Sequence, residues 1–269
     1  MNRFMKIKTV LFFLVIFTGQ TLWPQANEEG SRVVSILSFN ILHGATTKGD
    51  FDLDVIAKVI KEADPDFVAL QEVDFNTKRA RQYDLATELG WRTKLIPLFG
   101  KAMEYDGGEY GEGVLSRYSF LSSRNVALPY SPGKEPRAAL EIVTTIASKD
   151  TIAFVGTHLD HLSDEKDRLA QVDKINKVFS LNRYPTILAG DLNDIPGSEP
   201  IEMLEKLWLP SYDKENPKLT YPSGMPEKKI DYIMFYPKNR WKVLETRVIN
   251  DSIASDHCAY WVRVELLHE

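Results

Sequence analysis

The chain has 269 residues, a formal net charge of −5 and one cysteine, Cys258. This length suits one large α/β or all-β-cored domain, or at most two small ones, with enough apolar residues for a sizeable core. A single cysteine excludes an intrachain disulfide framework, and the acidic balance disfavours non-specific nucleic-acid binding, which needs Lys and Arg to neutralise phosphate.

The N-terminus reads as a separate segment. Arg3, Lys6 and Lys8 precede an unbroken apolar run from Val10 to Phe17, and small or polar residues follow to Ala26. That order is a basic n-region, a short h-region and a small-residue cleavage point. The run is short for a transmembrane helix. Residues 1–26 are therefore expected to be a cleaved export signal, leaving residues 27–269 as one secreted or periplasmic domain without a membrane anchor. Loss of Arg3, Lys6 and Lys8 moves the formal charge from −5 to −8.

Val33 to Asn40 predicts a first buried strand ending in a polar residue. Asp52 is a candidate N-cap for a helix presenting Val55, Ile56, Val59 and Ile60 on one face. Phe67 to Val73 predicts a second strand, ending in Gln71 and Glu72. A helix is expected over Tyr83 to Leu89, closed by Gly90. Strand-like runs follow at Arg92 to Leu98, Gly113 to Arg117 and Ala138 to Ser148. Gly107 to Gly111 and Ser131 to Pro136 read as loops. Thr151 to His158 is a strand ending in Thr157 and His158, and Asp164 to Ser180 is a helix with Leu169, Val172, Ile175 and Val178 inward.

Thr186 to Pro196 is the central stretch. Its apolar run stops at Gly190, and Asp191 and Asn193 follow two residues apart. On an extended chain both face one way. A carboxylate beside an amide suits a phosphate and cation site; the same residues also suit an Asx turn. Ser198 to Leu207 is a short helix. Lys229 to Phe235, Trp241 to Ile249 and Ala259 to Leu266 are the last strands. Two series of strands, each with helices, predict two packed sheets covered by helices.

Asn40, Glu72, Thr157/His158, Asp191/Asn193, Asp231 and Asp256/His257 all sit at or beside a strand end. Singly, each admits a bland role: His158 as a core histidine, His257 as a strand cap, Glu72 paired with Arg117. Together they predict one polar rim. Carboxylates gathered there repel unless a cation compensates, so Glu72, Asp191 and Asp256 imply a divalent metal. Oxygen donors without cysteine favour Mg2+ or Mn2+ over zinc. Cys258 lies in an apolar run and reads as a buried structural thiol.

Seven short motifs occur in order: Ser38-Phe-Asn40, Leu70-Gln-Glu-Val73, Leu115-Ser-Arg117, Gly156-Thr-His158, Gly190-Asp-Leu-Asn193, Ile230-Asp-Tyr232 and Ser255-Asp-His257. On these the chain resembles the endonuclease/exonuclease/phosphatase superfamily, which includes DNase I, exonuclease III-type AP endonucleases, inositol polyphosphate 5-phosphatases and neutral sphingomyelinases. It looks most like the small secreted bacterial members. The resemblance implies a DNase I-like, four-layer α/β/β/α sandwich. It also implies metal-dependent phosphoester hydrolysis by in-line attack of an activated water. Glu72 would be the principal metal ligand, with Asp256 a further one and Asn40 holding the water shell or the phosphate. Asp191 would orient or deprotonate the water. Asn193, His158 and His257 would contact the phosphate, and Asp231 would fix the His257 tautomer.

The expected substrate is a small phosphodiester, a lipid headgroup or a sugar phosphate, acted on by a monomer with no stable nucleic-acid partner. A DNase I-type secreted nuclease is the alternative, and a non-catalytic binding module is a third reading. Glu112 stands where many relatives have an Asn-Ala pair, and is expected on a loop surface unless it is a ligand or substrate contact. Arg137 is expected in a loop, binding a second phosphate or carboxylate or forming a surface ion pair. His43 and His161 adjoin motif residues, and His161 can reach a substrate.

Overall fold

Strands that are apolar on both faces need cover on both faces, and the central strands here have it. The computed structural model describes residues 32–268; the expected export signal lies outside them. The strands are β1 (Val33–Asn40), β2 (Phe67–Phe75), β3 (Ile96–Tyr105), β4 (Gly108–Ser116), β5 (Phe120–Leu128), β6 (Arg137–Thr145), β7 (Thr151–His158), β8 (Thr186–Asp191), β9 (Leu209–Pro210), β10 (Asp231–Tyr236), β11 (Trp241–Ile249) and β12 (Ala259–Leu266). The helices are α1 (Leu53–Ala63), α2 (Leu85–Thr93), α3 (Lys166–Phe179) and α4 (Glu199–Glu205).

Two mixed six-stranded sheets form, ordered β11-β12-β1-β2-β4-β3 and β5-β6-β7-β8-β10-β9. Alternate residues of one strand serve two different cores. Ile36 and Phe67 face the second sheet and pack with Phe154, Ile187 and Ile233. Leu37, Phe39 and Leu70 face outward onto Ile56 and Ile60 of α1 and Leu89 of α2. Val155, Leu188 and Tyr232 likewise meet Val172, Ile175 and Ile201 of α3 and α4. This is the expected four-layer α/β/β/α sandwich. Asp52 caps α1, accepting from the Asp54 and Val55 amides at 2.9 and 3.3 Å.

Several local expectations are corrected. Helix α2 runs through Gly90 to Thr93, and Lys94 in the left-handed region ends it (φ +63°). β3 consequently starts at Ile96. Gly108 to Gly111 is not loop but strand β4, after a turn at Asp106 and Gly107. A Cβ on Gly111 would lie 2.0 Å from the Gly100 carbonyl oxygen across the bulged β3–β4 ladder, so this glycine serves close strand approach. β5 gave no apolar signal because it is an edge strand with mostly exposed side chains. β2 continues past Glu72 to Phe75.

Gly190 shows how tightly β7 and β8 are drawn together. A Cβ there would meet the Thr157 carbonyl oxygen at 2.0 Å. Gly190→Ala must therefore part the two strands, and is expected to lower stability by about 2–3 kcal/mol. Urea unfolding checks this; an unchanged midpoint would refute it.

Candidate active site

Strand register builds the floor of the site. His158 on β7 is the parallel partner of Asp191 on β8, and Asp231 on β10 is its antiparallel partner. Three side chains thus stand abreast on neighbouring strands, roughly 5 Å apart along the hydrogen-bonding direction. Asp191 Oδ1 accepts the Asn193 amide at 2.9 Å. Asn193 has φ +52°, a left-handed turn that Asn tolerates better than most residues. Its Nδ2 lies 2.9 Å from His158 Nε2 and donates to the Leu159 carbonyl at 3.0 Å.

The other sheet brings Asn40 across to this row. Its Nδ2 donates to Asp191 Oδ2 at 3.4 Å and to Glu72 Oε1 at 3.1 Å, while its Oδ1 accepts the Leu42 amide. His257 lies between two carboxylates. Its Nδ1 is 3.1 Å from both Asp231 oxygens, and its Nε2 is 3.6 Å from Asp191 Oδ2. Ser255 Oγ donates to the Asn40 carbonyl at 2.7 Å and accepts the His257 amide at 3.1 Å, tying the loop before β12 to the end of β1.

Glu72 reaches the site through a bulge. The β2–β4 register passes from Leu70 opposite Gly113 to Val73 opposite Gly111, leaving one extra residue on β2. Leu70 and Val73 both face the outer core, and Glu72, at φ +58°, is turned to the rim instead. Its Oε2 lies 3.4 Å from His43 Nδ1. Arg117 does not pair with it; Arg117 binds Asp64 and Asp66.

Glu72, His158, Asp191, Asn193, Asp256 and His257 line one cleft of about 610 Å³, with Asn40 and Asp231 buried behind them. Over residues 37–257, the chain matches the profile of the Endonuclease/Exonuclease/phosphatase family. It belongs to this family. Its members are divalent-metal-dependent phosphoester hydrolases and nucleases, and the chain is an enzyme of that class. Solved structures agree on the fold. An endonuclease/exonuclease/phosphatase from Beutenbergia cavernae is 23% identical, with a TM-score of 0.71 over 88% of this chain and 72% of that one. A conserved protein from Enterococcus faecalis is 23% identical, with a TM-score of 0.72 over 86% and 99%. A mannosyl-6-phosphatase from Bacteroides thetaiotaomicron is 18% identical, with a TM-score of 0.67 over 87% and 100%.

The charges of this family member favour a cation. Burial raises the Glu72 carboxyl, but hydrogen bonds from His43 and Asn40 outweigh it and hold Glu72 below its ordinary value. It is ionised at neutral pH. Asp256 is pushed up, by burial first and then by the Glu72 charge. An ionised Glu72 whose charge raises the neighbouring Asp256 carboxyl, with no cysteine among the cleft residues, is a donor set fitting a hard divalent ion. Asp191, Asp231 and His257 form a tighter group, with ligand atoms within 4.8 Å of one another. There the positive charge can be supplied by a proton. Burial works against the His257 imidazolium, but Asp231 and Asp191 raise it to about 10. Asp191 is lifted to about 7 by burial, which the His257 charge opposes and Asp231 reinforces. His158 is driven well below its usual value by burial and then by the Arg137 charge, so it is neutral.

Two sequence expectations fail here. Glu112 is on no loop surface; it sits fully buried on β4, where burial raises its carboxyl well above the usual range. Arg137 is no surface residue either; it opens β6, is 2% exposed and lines the cleft. Three contributors carry no sequence signal. Tyr221 packs on the His257 ring with centroids 4.8 Å apart. Arg168, buried on α3, donates to Asp194 at 2.9 Å and so braces the loop after β8. Lys229 is buried over the Tyr260 ring at 3.7 Å and donates to the Asp231 carbonyl at 2.8 Å.

Proposed function

We propose that the protein is an exported phosphoesterase, dependent on Mg2+ or Mn2+, acting on small phosphodiesters, lipid headgroups or sugar phosphates. The observation carrying this reading is Asp191. It is a buried carboxylate ringed by Asn40, Asn193, His158 and His257 between 2.9 and 3.6 Å on a cleft floor. Hydrolysis of a phosphoester needs a base for water, donors for the phosphoryl oxygens and neutralised charge. Asp191 takes the proton of the attacking water. Asn193, His158 and the His257 imidazolium donate to phosphoryl oxygens, and Asp231 holds the His257 proton on Nδ1. Glu72 and Asp256 would hold a divalent cation, which would supply charge neutralisation at the phosphate and the leaving oxygen, and Asn40 orients Glu72 and Asp191.

Small substrates are favoured by charge. The basic lining is Arg79, already paired with Asp74 at 2.7 Å, with Arg137 and Lys228. That is little for tracking a polynucleotide backbone. A monomer with no stable nucleic-acid partner fits this lining. Among the described residues no helix is long and apolar enough to cross a membrane. Export follows from the sequence of residues 1–26, and N-terminal sequencing of the mature protein tests it.

The functional test is hydrolysis of bis-p-nitrophenyl phosphate and p-nitrophenyl phosphate with EDTA, Mg2+ or Mn2+. Metal-stimulated turnover is expected; none with any metal would sink the proposal. Rapid plasmid nicking alongside slow small-ester turnover would instead favour a nuclease. Glu72→Ala is expected to abolish metal-dependent thermal stabilisation. In the wild type that stabilisation is about 2.7 kcal/mol at a hundredfold excess over Kd. Calorimetric scans with and without Mg2+ measure it, and an undiminished shift in the variant would remove Glu72 from the cation site.

A further inference from the structure

Arg137 is a buried cation whose hydrogen-bonding capacity is only partly met, although it forms an ion pair with Glu135. Its Nη2 donates to His161 Nδ1 at 3.2 Å, but Nε and Nη1 have no hydrogen-bond partner. Glu135 is the nearest carboxylate, with Oε1 3.4 Å from Nη1, and does not make a hydrogen bond with it. Glu112 does not supply an acceptor either. Both of its oxygens are buried and unpartnered, and burial pushes its carboxyl well above the ordinary range against the Arg137 charge. Leaving guanidinium N–H groups buried and unpaired is costly, so those that line a cleft mark a place where an anion can supply the acceptors.

The position of Arg137 says which ligand. The β6–β7 ladder sets Ala139 opposite Thr157, so Arg137 lies on the flank of His158 away from Asp191. Its backbone is two strands from Asp191, roughly 10 Å. The guanidinium lines the cleft on the His158 side, close enough for its charge to lower His158. Tyr110 of β4 and His161 line the same cleft. A guanidinium with free N–H groups recognises phosphate or carboxylate oxygens.

We infer that Arg137, oriented by His161, forms a second anion subsite that selects substrates carrying another phosphate or a carboxylate beside the scissile phosphoester. This rests on the phosphoesterase reading above, but its test does not need turnover. Isothermal titration with Mg2+ compares two ligand pairs. Glucose 6-phosphate is set against glucose 1,6-bisphosphate, and glycerol 3-phosphate against 3-phosphoglycerate. The doubly anionic member of one pair is expected to bind about tenfold more tightly, the factor one charge-assisted hydrogen bond supplies. Which pair responds separates phosphate from carboxylate recognition. In Arg137→Gln the ratio is expected to fall to about one. Arg137→Lys keeps the charge but loses the fork, and is expected to fall between. It also serves as the folded control should the Gln variant unfold. Equal affinities within both pairs for the wild type, or no binding of any member, overturns the inference. So does a ratio unchanged in both variants. A preserved preference in a protein with no hydrolytic activity would keep the subsite and discard the phosphoesterase reading.

Discussion

Asp191→Ala is expected to lower kcat by about 10²–10⁴-fold, the range for losing a positioned general base. KM is expected to change little, because Asn193, His158 and His257 still meet the phosphate. The physical basis is the carboxyl's position and its acidity. Burial and Asp231 lift it, against the His257 charge, to about 7. A base matched to neutral pH is thereby available to take a proton from water. Asp191→Asn keeps the shape and the Asn40 and Asn193 contacts while removing the basic oxygen, and should lose nearly as much. Steady-state kinetics at saturating Mg2+ provide the check, with thermal unfolding to confirm folded variants. Activity within about threefold of wild type in both would exclude Asp191 as the base.

Asp231→Asn is expected to cost a comparable factor, about 10²–10⁴ in kcat, through His257. Asp231 contributes most to the imidazolium's charge stabilisation, standing 3.1 Å from Nδ1. Without it only the Asp191 and Asp256 charges oppose burial, so the His257 value falls and its charged donor to the phosphate is weakened. The same change has a stability signature in metal-free protein. His257 titrates at 6.5 when unperturbed and at about 10 in the fold. Between those values the native state holds the extra proton, so stability falls as pH rises. The contribution is fully present below pH 6.5 and is lost as pH passes about 10. Asp191 adds a fall in a lower window, between 3.8 and about 7, because its native carboxyl also keeps a proton that the unfolded chain has released. Lys229, lowered from 10.5 to about 7 by burial, contributes the opposite slope over nearly the same window, so His257 is read from the difference between proteins: from pH 7 to 10 Tm should fall less, or rise more, in Asp231→Asn than in the wild type. An equal change in both would mean that His257 is not the group responsible.

The polar rim was legible because each of its residues ends or interrupts an apolar strand. Asn40, His158, Asp191 and Asp231 fall at the termini of β1, β7, β8 and β10. An abrupt polar residue after a buried run is visible to anyone counting along the chain. The same strands alternate between two cores, so the layered architecture also followed from patterning, as did the cap at Asp52.

Other features depend on residues far apart in sequence. Glu72 sits two residues beyond Leu70 and by simple alternation would share its face. Only the bulge against Gly111 and Gly113 turns it to the rim, and a bulge is a property of two strands. Gly111 read as loop because the close approach of Gly100, which excludes a side chain there, is invisible locally. Glu112 and Arg137 read as surface residues because charged side chains usually are. Their burial is imposed by the cleft wall between two sheets. β5, an exposed edge strand, had no periodicity to display. The sequence by itself determined which strands exist at the centre and which polar groups finish them, since both follow from local burial and alternation. Register, bulge and sheet-to-sheet packing decided which of those groups touch, because these set distances between residues that the chain order leaves far apart, 151 positions for Asn40 and Asp191.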